Sequence, residues 1–223
     1  MAVATALCLL VATAAAMDVT GTVRVSDDYV ARARRTAPAS HAYYWEEWNG
    51  FLDPRPDSVD LSREIAVVLI GNAPEPPDHN VTIEWRGGGL MPSTIVVRPG
   101  TILAIENHDD VIHELSAAGL TEVAAEATGS GSTRRTLALG RPGHYALADG
   151  LVPHATGHLH VVPNLVAVAK PTSGGAFTFT NIAAGQYVLK IFHGDREVTS
   201  RTVDVVEGHP LTVDPITLAA SSS

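Results

Sequence analysis

The chain has 223 residues, of which 24 are acidic and 15 are basic, and its formal net charge is −9 at pH 7. This balance excludes binding to nucleic acid or to an anionic membrane surface through charge, because phosphate contacts need clustered Lys and Arg. The length is sufficient for one large β domain or two small ones.

The first sixteen residues, MAVATALCLLVATAAA, are apolar and end in small residues. They resemble a secretory signal peptide that lacks the usual basic start. The segment is too short to span a bilayer, and no later run is long and apolar enough to do so. We therefore expect an exported protein, periplasmic or extracellular, with no transmembrane segment. The only cysteine, Cys8, lies in this segment, so the mature chain is expected to have no thiol ligand and no disulfide.

Residues 28–62 differ from the rest of the chain, because they show no strand periodicity and are predicted to form a long loop. The basic run in this segment (Arg32, Arg34, Arg35) is interpreted as a solvated part of that loop. The stretch YYWEEWNGF concentrates the aromatic residues, which are Tyr43, Tyr44, Trp45, Trp48 and Phe51. Long loops usually pack on themselves or carry function. The aromatic stretch is therefore either a small satellite core or, over residues 41–52, a contact surface for a protein partner or a sugar.

Most of the remaining chain has the period of two that is typical of strands. Clear examples are REIAVVLIG (63–71), NVTIEW (80–85), STIVVRPGTILAIEN (93–107), GHYALAD (143–149), HLHVV (158–162) and GQYVLKIFH (185–193). Turns containing Gly or Pro separate them, which indicates an all-β protein built from sandwiches. The best candidate for helix is one short turn within SAAGLTEVAAEATG (116–129).

Two stretches resemble the cupredoxin (plastocyanin-like) domain: RPGTILAIENHDDVIHEL (98–115) and PGHYALADGLVPHATGHLHVV (142–162). The resemblance implies a Greek-key β-sandwich, which we expect over residues 73–163. Further on, GAFTFTNIAAGQYVLKIFHGDREV resembles the transthyretin-like, carboxypeptidase-regulatory-like β-sandwich, whose apolar positions alternate onto one face. We expect that sandwich to consist of residues 17–72 and 164–223, with the cupredoxin-like domain inserted in it or joined to it.

The resemblance also implies where copper would bind in a cupredoxin. A blue-copper site uses two imidazoles, one thiolate and a weak axial thioether. His113 and His154 match the two histidines of the family. The family's cysteine stands three residues before the second histidine, at Leu151 in this sequence, and of the axial positions Gly157, His158 and Leu159 only the histidine can donate. The sequence therefore predicts the fold without blue-copper electron transfer.

Two interpretations of these histidines stay open. His113, His154 and His158 could form an all-nitrogen Cu(II) or Zn(II) site, with His160 and His108 as extra ligands. Alternatively, the domain is a decayed cupredoxin whose histidines are polar residues at a loop edge. His193, which follows a core strand, is interpreted as structural.

The sequence lacks the common catalytic motifs, including G-x-S-x-G, H-E-x-x-H and a Gly-rich phosphate loop, so no enzyme activity is expected. The function predicted from sequence is a non-catalytic, exported binding or surface-associated module with a degenerate cupredoxin domain. One alternative is a His-only protein that binds Cu(II) or Zn(II). Another is a structural or assembly subunit that uses the aromatic loop.

Overall fold

The computed structural model describes residues 16–36, 58–72 and 80–220. The strands before residue 136 are β1 (Met17–Val25), β2 (Ile65–Ile70), β3 (Asn80–Arg86), β4 (Gly89–Met91), β5 (Thr94–Val97), β6 (Ile102–Asn107), β7 (His113–Ala117), β8 (Glu126–Thr128) and β9 (Thr133–Arg135). Those that follow are β10 (Gly143–Asp149), β11 (Thr156–Val161), β12 (Leu165–Ala169), β13 (Ala176–Ile182), β14 (Gly185–His193), β15 (Arg196–Val205), β16 (Leu211–Thr212) and β17 (Ile216–Leu218). Helices are α1 (Asp27–Thr36), α2 (Leu61–Glu64) and a 3-10 turn at Thr121–Val123. The predicted all-β class is confirmed.

The strands form four sheets, which enclose two large apolar clusters. One sheet has the order β13-β1-β16, with β17 also paired to β1, and a second has the order β12-β2-β14-β15. These two sheets enclose one core, and we call them the host sandwich. The sheets β4-β3-β6-β9 and β5-β11-β10-β7-β8 enclose the other core, and we call them the insert sandwich.

The insert sandwich lies between two neighbouring strands of the host. Strand β2 ends at Ile70 and β12 begins at Leu165, and these two residues are antiparallel partners. The N–H of Gly71 also donates to the carbonyl of Asn164 at 3.0 Å. All strands from β3 to β11 belong to the insert sheets. This pairing is what the predicted insertion requires, and the division at residues 72/73 and 163/164 stays a prediction.

Strand β2 explains why the segment 63–71 is apolar at nearly every position. Ile65, Val67 and Leu69 point into the host core. Ala66 and Val68 point to the other side, where they join a third cluster with Val96, Leu165 and Phe192. Because both faces of the strand are covered, no position needs a polar side chain. The third cluster is the apolar junction between the two sandwiches.

The structure differs from the predicted loop over 28–62 in the part that it describes. Residues Asp27–Thr36 form α1, which includes the basic run Arg32, Arg34 and Arg35. Asp27 and Asp28 lie in the first helical turn, where negative charge is favourable. Tyr29 anchors the helix because its ring is buried in the host core. The aromatic residues of 41–52 lie outside the described residues.

The short helical turn expected within 116–129 is present as the 3-10 turn at Thr121–Val123, and strands occupy both ends of the stretch. Its beginning completes β7 and its end forms β8, and between them the 3-10 turn buries Val123. The chain therefore uses these residues mainly to pair β8 with β7 at the edge of a sheet.

Candidate functional site

His113 lies at the centre of a buried group of three side chains at one end of the insert sandwich. It is fully buried at the start of β7, and its ring stacks on Trp85 with centroids 4.4 Å apart and planes 12° apart. Its Nδ1 lies 2.7 Å from Oδ2 of Asp149, the last residue of β10. Its Nε2 lies 3.2 Å from Oδ2 of Asp109. We call these three residues the Asp–His–Asp core.

The loop before β7 is held by Asn107, the last residue of β6. Its side-chain amide donates to the carbonyls of Val111 and Thr128 at 2.7 and 2.9 Å. Its Oδ1 accepts from the N–H of Asp109 at 2.9 Å. One buried amide therefore fixes both ends of the loop and sets the position of Asp109 beside His113.

Both carboxylates of the core accept several hydrogen bonds. Asp149 accepts from the N–H groups of Leu151 and Val152 through Oδ1, at 2.7 and 2.8 Å. Asp109 accepts from the N–H groups of Gly87 and Gly88 at 2.6 and 2.9 Å. Such donors stabilise the ionised carboxylate and compensate its loss of hydration.

The pKa values of the two carboxyls follow from these contacts. Burial opposes ionisation of Asp149, but the N–H groups of Leu151 and Val152 together with His113 outweigh it, so the pKa lies below the ordinary 3.8. Burial likewise opposes ionisation of Asp109, but the N–H groups of the two glycines and His113 lower its pKa below 3.8. An ionised carboxylate only accepts hydrogen bonds. Each ring nitrogen of His113 therefore faces a carboxylate oxygen that can only accept a hydrogen bond.

The residues at this end do not fit a blue-copper centre. A metal-binding imidazole needs a free lone pair, whereas both ring nitrogens of His113 face carboxylate oxygens at 2.7 and 3.2 Å. The side chain beside Nδ1 is Asp149 and not Leu151, whose side chain is 55% exposed. Counting three residues back from His154 reaches Leu151, whereas the side chain that contacts His113 belongs to Asp149. Residues 16–36, 58–72 and 80–220 contain no cysteine.

The three predicted metal ligands do not lie together. His154 is exposed, and its Nε2 lies 3.5 Å from the position that a Cβ on Gly88 would occupy, so it shares the end of the sandwich where Asp109 lies. His158 instead contacts His144. Among the residues described, one group of three side chains has all its ligand atoms within 4.8 Å, and it consists of Glu84, Glu106 and His108. The site formed by His113, His154 and His158 stays a prediction.

The outer face of β10 and β11 carries three histidines, which we call the junction histidines: His144, His158 and His160. The rings of His158 and His160 lie against the host sandwich, whereas His144 is exposed. His144 is directly opposite His160 in the antiparallel pair, and its Nε2 lies 3.1 Å from Nδ1 of His158. The ring of His160 packs on Phe192 at 4.6 Å and its Nε2 donates to the carbonyl of Gly194 at 2.8 Å.

Sequence alternation correctly places His158 and His160 on one face of a strand, but their neighbour His144 was missed. His144 lies in the adjacent strand β10, and the sequence does not reveal the register in which β10 pairs with β11. Burial lowers the pKa of His158, and the nearby His144 lowers it further. Burial also lowers the pKa of His160 despite the opposing hydrogen bond to Gly194.

His193 lies in a hydrogen-bonded chain that connects α1, α2 and β14. Its Nδ1 lies 2.7 Å from the hydroxyl of Tyr29, and its Nε2 lies 3.2 Å from Oε2 of Glu64. Both ring nitrogens hold elements of the host sandwich together, which agrees with the structural role expected from the sequence.

Exposed apolar side chains surround the end of the sandwich where the Asp–His–Asp core is buried. Val111, Ile112 and Leu151 are 51%, 54% and 55% exposed. Their loops are adjacent, because the N–H of Gly150 donates to the carbonyl of Glu114 at 2.9 Å. We call these three residues the apolar rim.

In the described part of the chain, no helix has the length and apolar character needed to cross a membrane.

No protein-family model and no curated protein matches the chain. Among solved structures, it is similar to a reduced amicyanin variant, with 16% identity over 43% of this chain and 98% of that chain and a TM-score of 0.34. It is similar to a purple cupredoxin from Nitrosopumilus maritimus, with 16% identity over 36% of this chain and 98% of that chain and a TM-score of 0.31. A copper-containing nitrite reductase from Thermus scotoductus matches with 22% identity over 41% of this chain and 24% of that chain, at a TM-score of 0.33. At these identities the similarity concerns the fold alone.

Proposed function

We propose that the chain is a non-catalytic, exported binding module whose cupredoxin-like part does not perform blue-copper electron transfer. The observation that carries the proposal is the position of His113. Its two ring nitrogens face two ionised carboxylates, the ring is fully buried, and a tryptophan covers one face. A histidine held in this way stabilises the loop end of the sandwich instead of binding a metal.

The apolar rim supports a binding role for the same end of the molecule. Val111, Ile112 and Leu151 expose apolar surface on loops that the buried Asp–His–Asp core keeps in a fixed arrangement. A rigid scaffold under exposed apolar side chains limits the entropy lost on binding. The rim is small, so it fits a protein contact that is supplemented by other surfaces, such as the predicted aromatic segment 41–52.

The state of His113 can be tested by nitrogen-15 NMR of the histidine side chains, with and without one equivalent of Cu(II). We expect signals from protonated Nδ1 and Nε2 of His113, unchanged by the metal, and no intense visible absorption from a thiolate–copper bond. The His154→Ala variant serves as a control for metal bound at the exposed histidine nearby. An intense visible band, or loss of a ring proton from His113 on adding Cu(II), would overturn the proposal.

The binding role requires a separate test on the apolar rim. Ile112→Asp and Leu151→Asp place a charge in the rim, whereas Leu137→Asp changes an apolar side chain that is 73% exposed in another part of the sandwich. We expect partners from the cell envelope to be retained by the wild type and by Leu137→Asp, and lost by both rim variants. Equal retention by all four proteins would contradict a contact at the rim.

The alternative functions rest on other residues. A His-only Cu(II) or Zn(II) site at His113, His154 and His158 would require His113 to release one of its two carboxylates and His158 to move toward the other two. The geometry therefore disfavours it relative to the binding module. A structural or assembly role for the aromatic segment stays a prediction, since that segment lies outside the described residues.

A further inference from the structure

We propose that the junction histidines form a binding site for a divalent transition-metal ion, Cu(II) or Zn(II), at the interface between the two sandwiches. His144 and His158 are its primary ligands. His160 is a third imidazole nearby, and its ligand nitrogen does not lie within 4.8 Å of those of both other rings, so it would have to turn toward the ion. This site is distinct from the Asp–His–Asp core, and it stands or falls independently of the proposed function.

The first observation is the spacing of two ring nitrogens. Nε2 of His144 and Nδ1 of His158 are 3.1 Å apart. Two imidazoles bound to one tetrahedral ion have their nitrogens roughly 3.3 Å apart, because each metal–nitrogen bond is about 2.0–2.1 Å long. A small rotation of either ring therefore allows both nitrogens to bind one ion, which displaces the proton that they share in the hydrogen bond.

The second observation is the orientation of His160. A carbonyl oxygen only accepts, so Nε2 of His160 carries the proton that it donates to Gly194. The neutral ring then has its lone pair on Nδ1, for which no hydrogen bond exists in the described part of the chain. A backbone carbonyl on the second nitrogen is the usual device that fixes the tautomer of a metal-binding histidine. Contact with His144, at 4.8 Å between ring centroids, places this ring next to the pair.

The third observation is the charge available at the junction. Asp195 lies in the turn between β14 and β15, and its carboxylate acts electrostatically on both His158 and His160. Its side chain is 61% exposed and pairs with Arg196 at 3.5 Å, so it can move to supply an oxygen ligand. Imidazole with one carboxylate suits Cu(II) and Zn(II) better than Mg(II) or Ca(II).

The position of the site gives it a structural consequence. His144 and His158 belong to the insert sandwich, whereas Gly194 and Asp195 belong to a turn of the host. An ion that binds Asp195 as well as the histidines would therefore link the two sandwiches beside the apolar junction formed by Val96, Leu165 and Phe192. Metal binding should raise the stability of the arrangement as well as occupy the histidines.

The test is calorimetric titration of the full chain with Zn(II) and with Cu(II). We expect His144→Ala and His158→Ala to weaken binding on the order of tenfold or more. His154→Ala and His108→Ala, which change exposed histidines outside the junction, should leave the affinity unchanged. Thermal unfolding of each variant without metal verifies that it is folded. Absence of binding by the wild type, equal binding by His144→Ala and wild type, or loss only in His154→Ala or His108→Ala would overturn the proposal.

A second measurement does not depend on the folding of any variant. Substoichiometric Cu(II) is paramagnetic and broadens the ring signals of nearby histidines in the NMR spectrum of the wild type. We expect His144, His158 and His160 to broaden first, before His154 and His209. Broadening that begins at His154 or His108 would place the ion elsewhere and overturn the junction site.

Discussion

Replacement of Asp149 should reveal how much of the insert sandwich depends on the buried core. In Asp149→Ala, Nδ1 of His113 loses its acceptor in a place that water does not reach, since the ring is fully buried. The N–H groups of Leu151 and Val152 lose theirs as well, but they lie near the surface and can bind water. Breaking a buried charged pair by removing one partner costs about 3–5 kcal/mol, and we expect Asp149→Ala to lie in this range.

Asp149→Asn should cost less, about 1–2 kcal/mol. Its oxygen can still accept from the two loop N–H groups, and its amide can donate to Nδ1 of a neutral His113. The matched control is Asp110→Ala, which removes an exposed carboxylate from the neighbouring loop and should change stability by no more than about 0.5 kcal/mol. Urea unfolding followed by circular dichroism gives these differences. A loss in Asp149→Ala as small as that in Asp110→Ala would refute the reasoning.

Three further predictions concern other parts of the molecule. The folded pKa values of Asp109 and Asp149 lie below 3.8, so the stability that these carboxylates contribute is complete above about pH 4 and is lost as the pH falls through the folded pKa values. Acid unfolding of Asp149→Asn should therefore be less steep than that of the wild type. Identical acid unfolding profiles of the two proteins would contradict this prediction. Deleting residues 41–52 should weaken partner association by about 2 kcal/mol or more while the protein stays folded, and unfolding of the truncated chain at room temperature would show instead that the segment is a core. Gly175 and Gly131 both have positive φ, at 85° and 67°, so replacing either by alanine should lower the free energy of unfolding by about 1–2 kcal/mol. Gly175→Ala also places a methyl group against the backbone of β1 and should lower that free energy by about 1–3 kcal/mol more than Gly131→Ala does. Equal urea midpoints of the two variants would disprove this.

Sequence periodicity predicts most strands because each has at least one face in a core. The alternation in GHYALAD gives β10, whose buried face carries Tyr145 and Leu147 and ends at Asp149. That same alternation contains the signal that the family spacing missed. Asp149 continues the buried face, so a charged residue there needed a buried partner, but the sequence did not identify His113 as that partner. The count back from His154 led instead to Leu151, which lies in the following loop.

The junction histidines show a different limit of sequence reasoning. The period of two places His158 and His160 on the same side of β11, but it does not reveal what covers that side. The cover comes from Phe192 and Gly194, more than thirty residues further along the chain. Helix α1 was missed for a related reason. It is short and strongly charged, and the contact that holds it, from Tyr29 to His193, is also distant in sequence.

The pairing of β2 with β12 constrains the order in which the chain can fold. These strands are neighbours in the host sheet, yet the connection between them is the whole insert sandwich. Closing a roughly 90-residue unstructured loop, instead of a four-residue turn, costs about 3 kcal/mol of chain entropy. If the insert folds first, its ends at Gly71 and Asn164 are already adjacent, and the host strands meet as in a simple hairpin. We therefore expect the insert to be the nucleus on which the two separated parts of the host assemble.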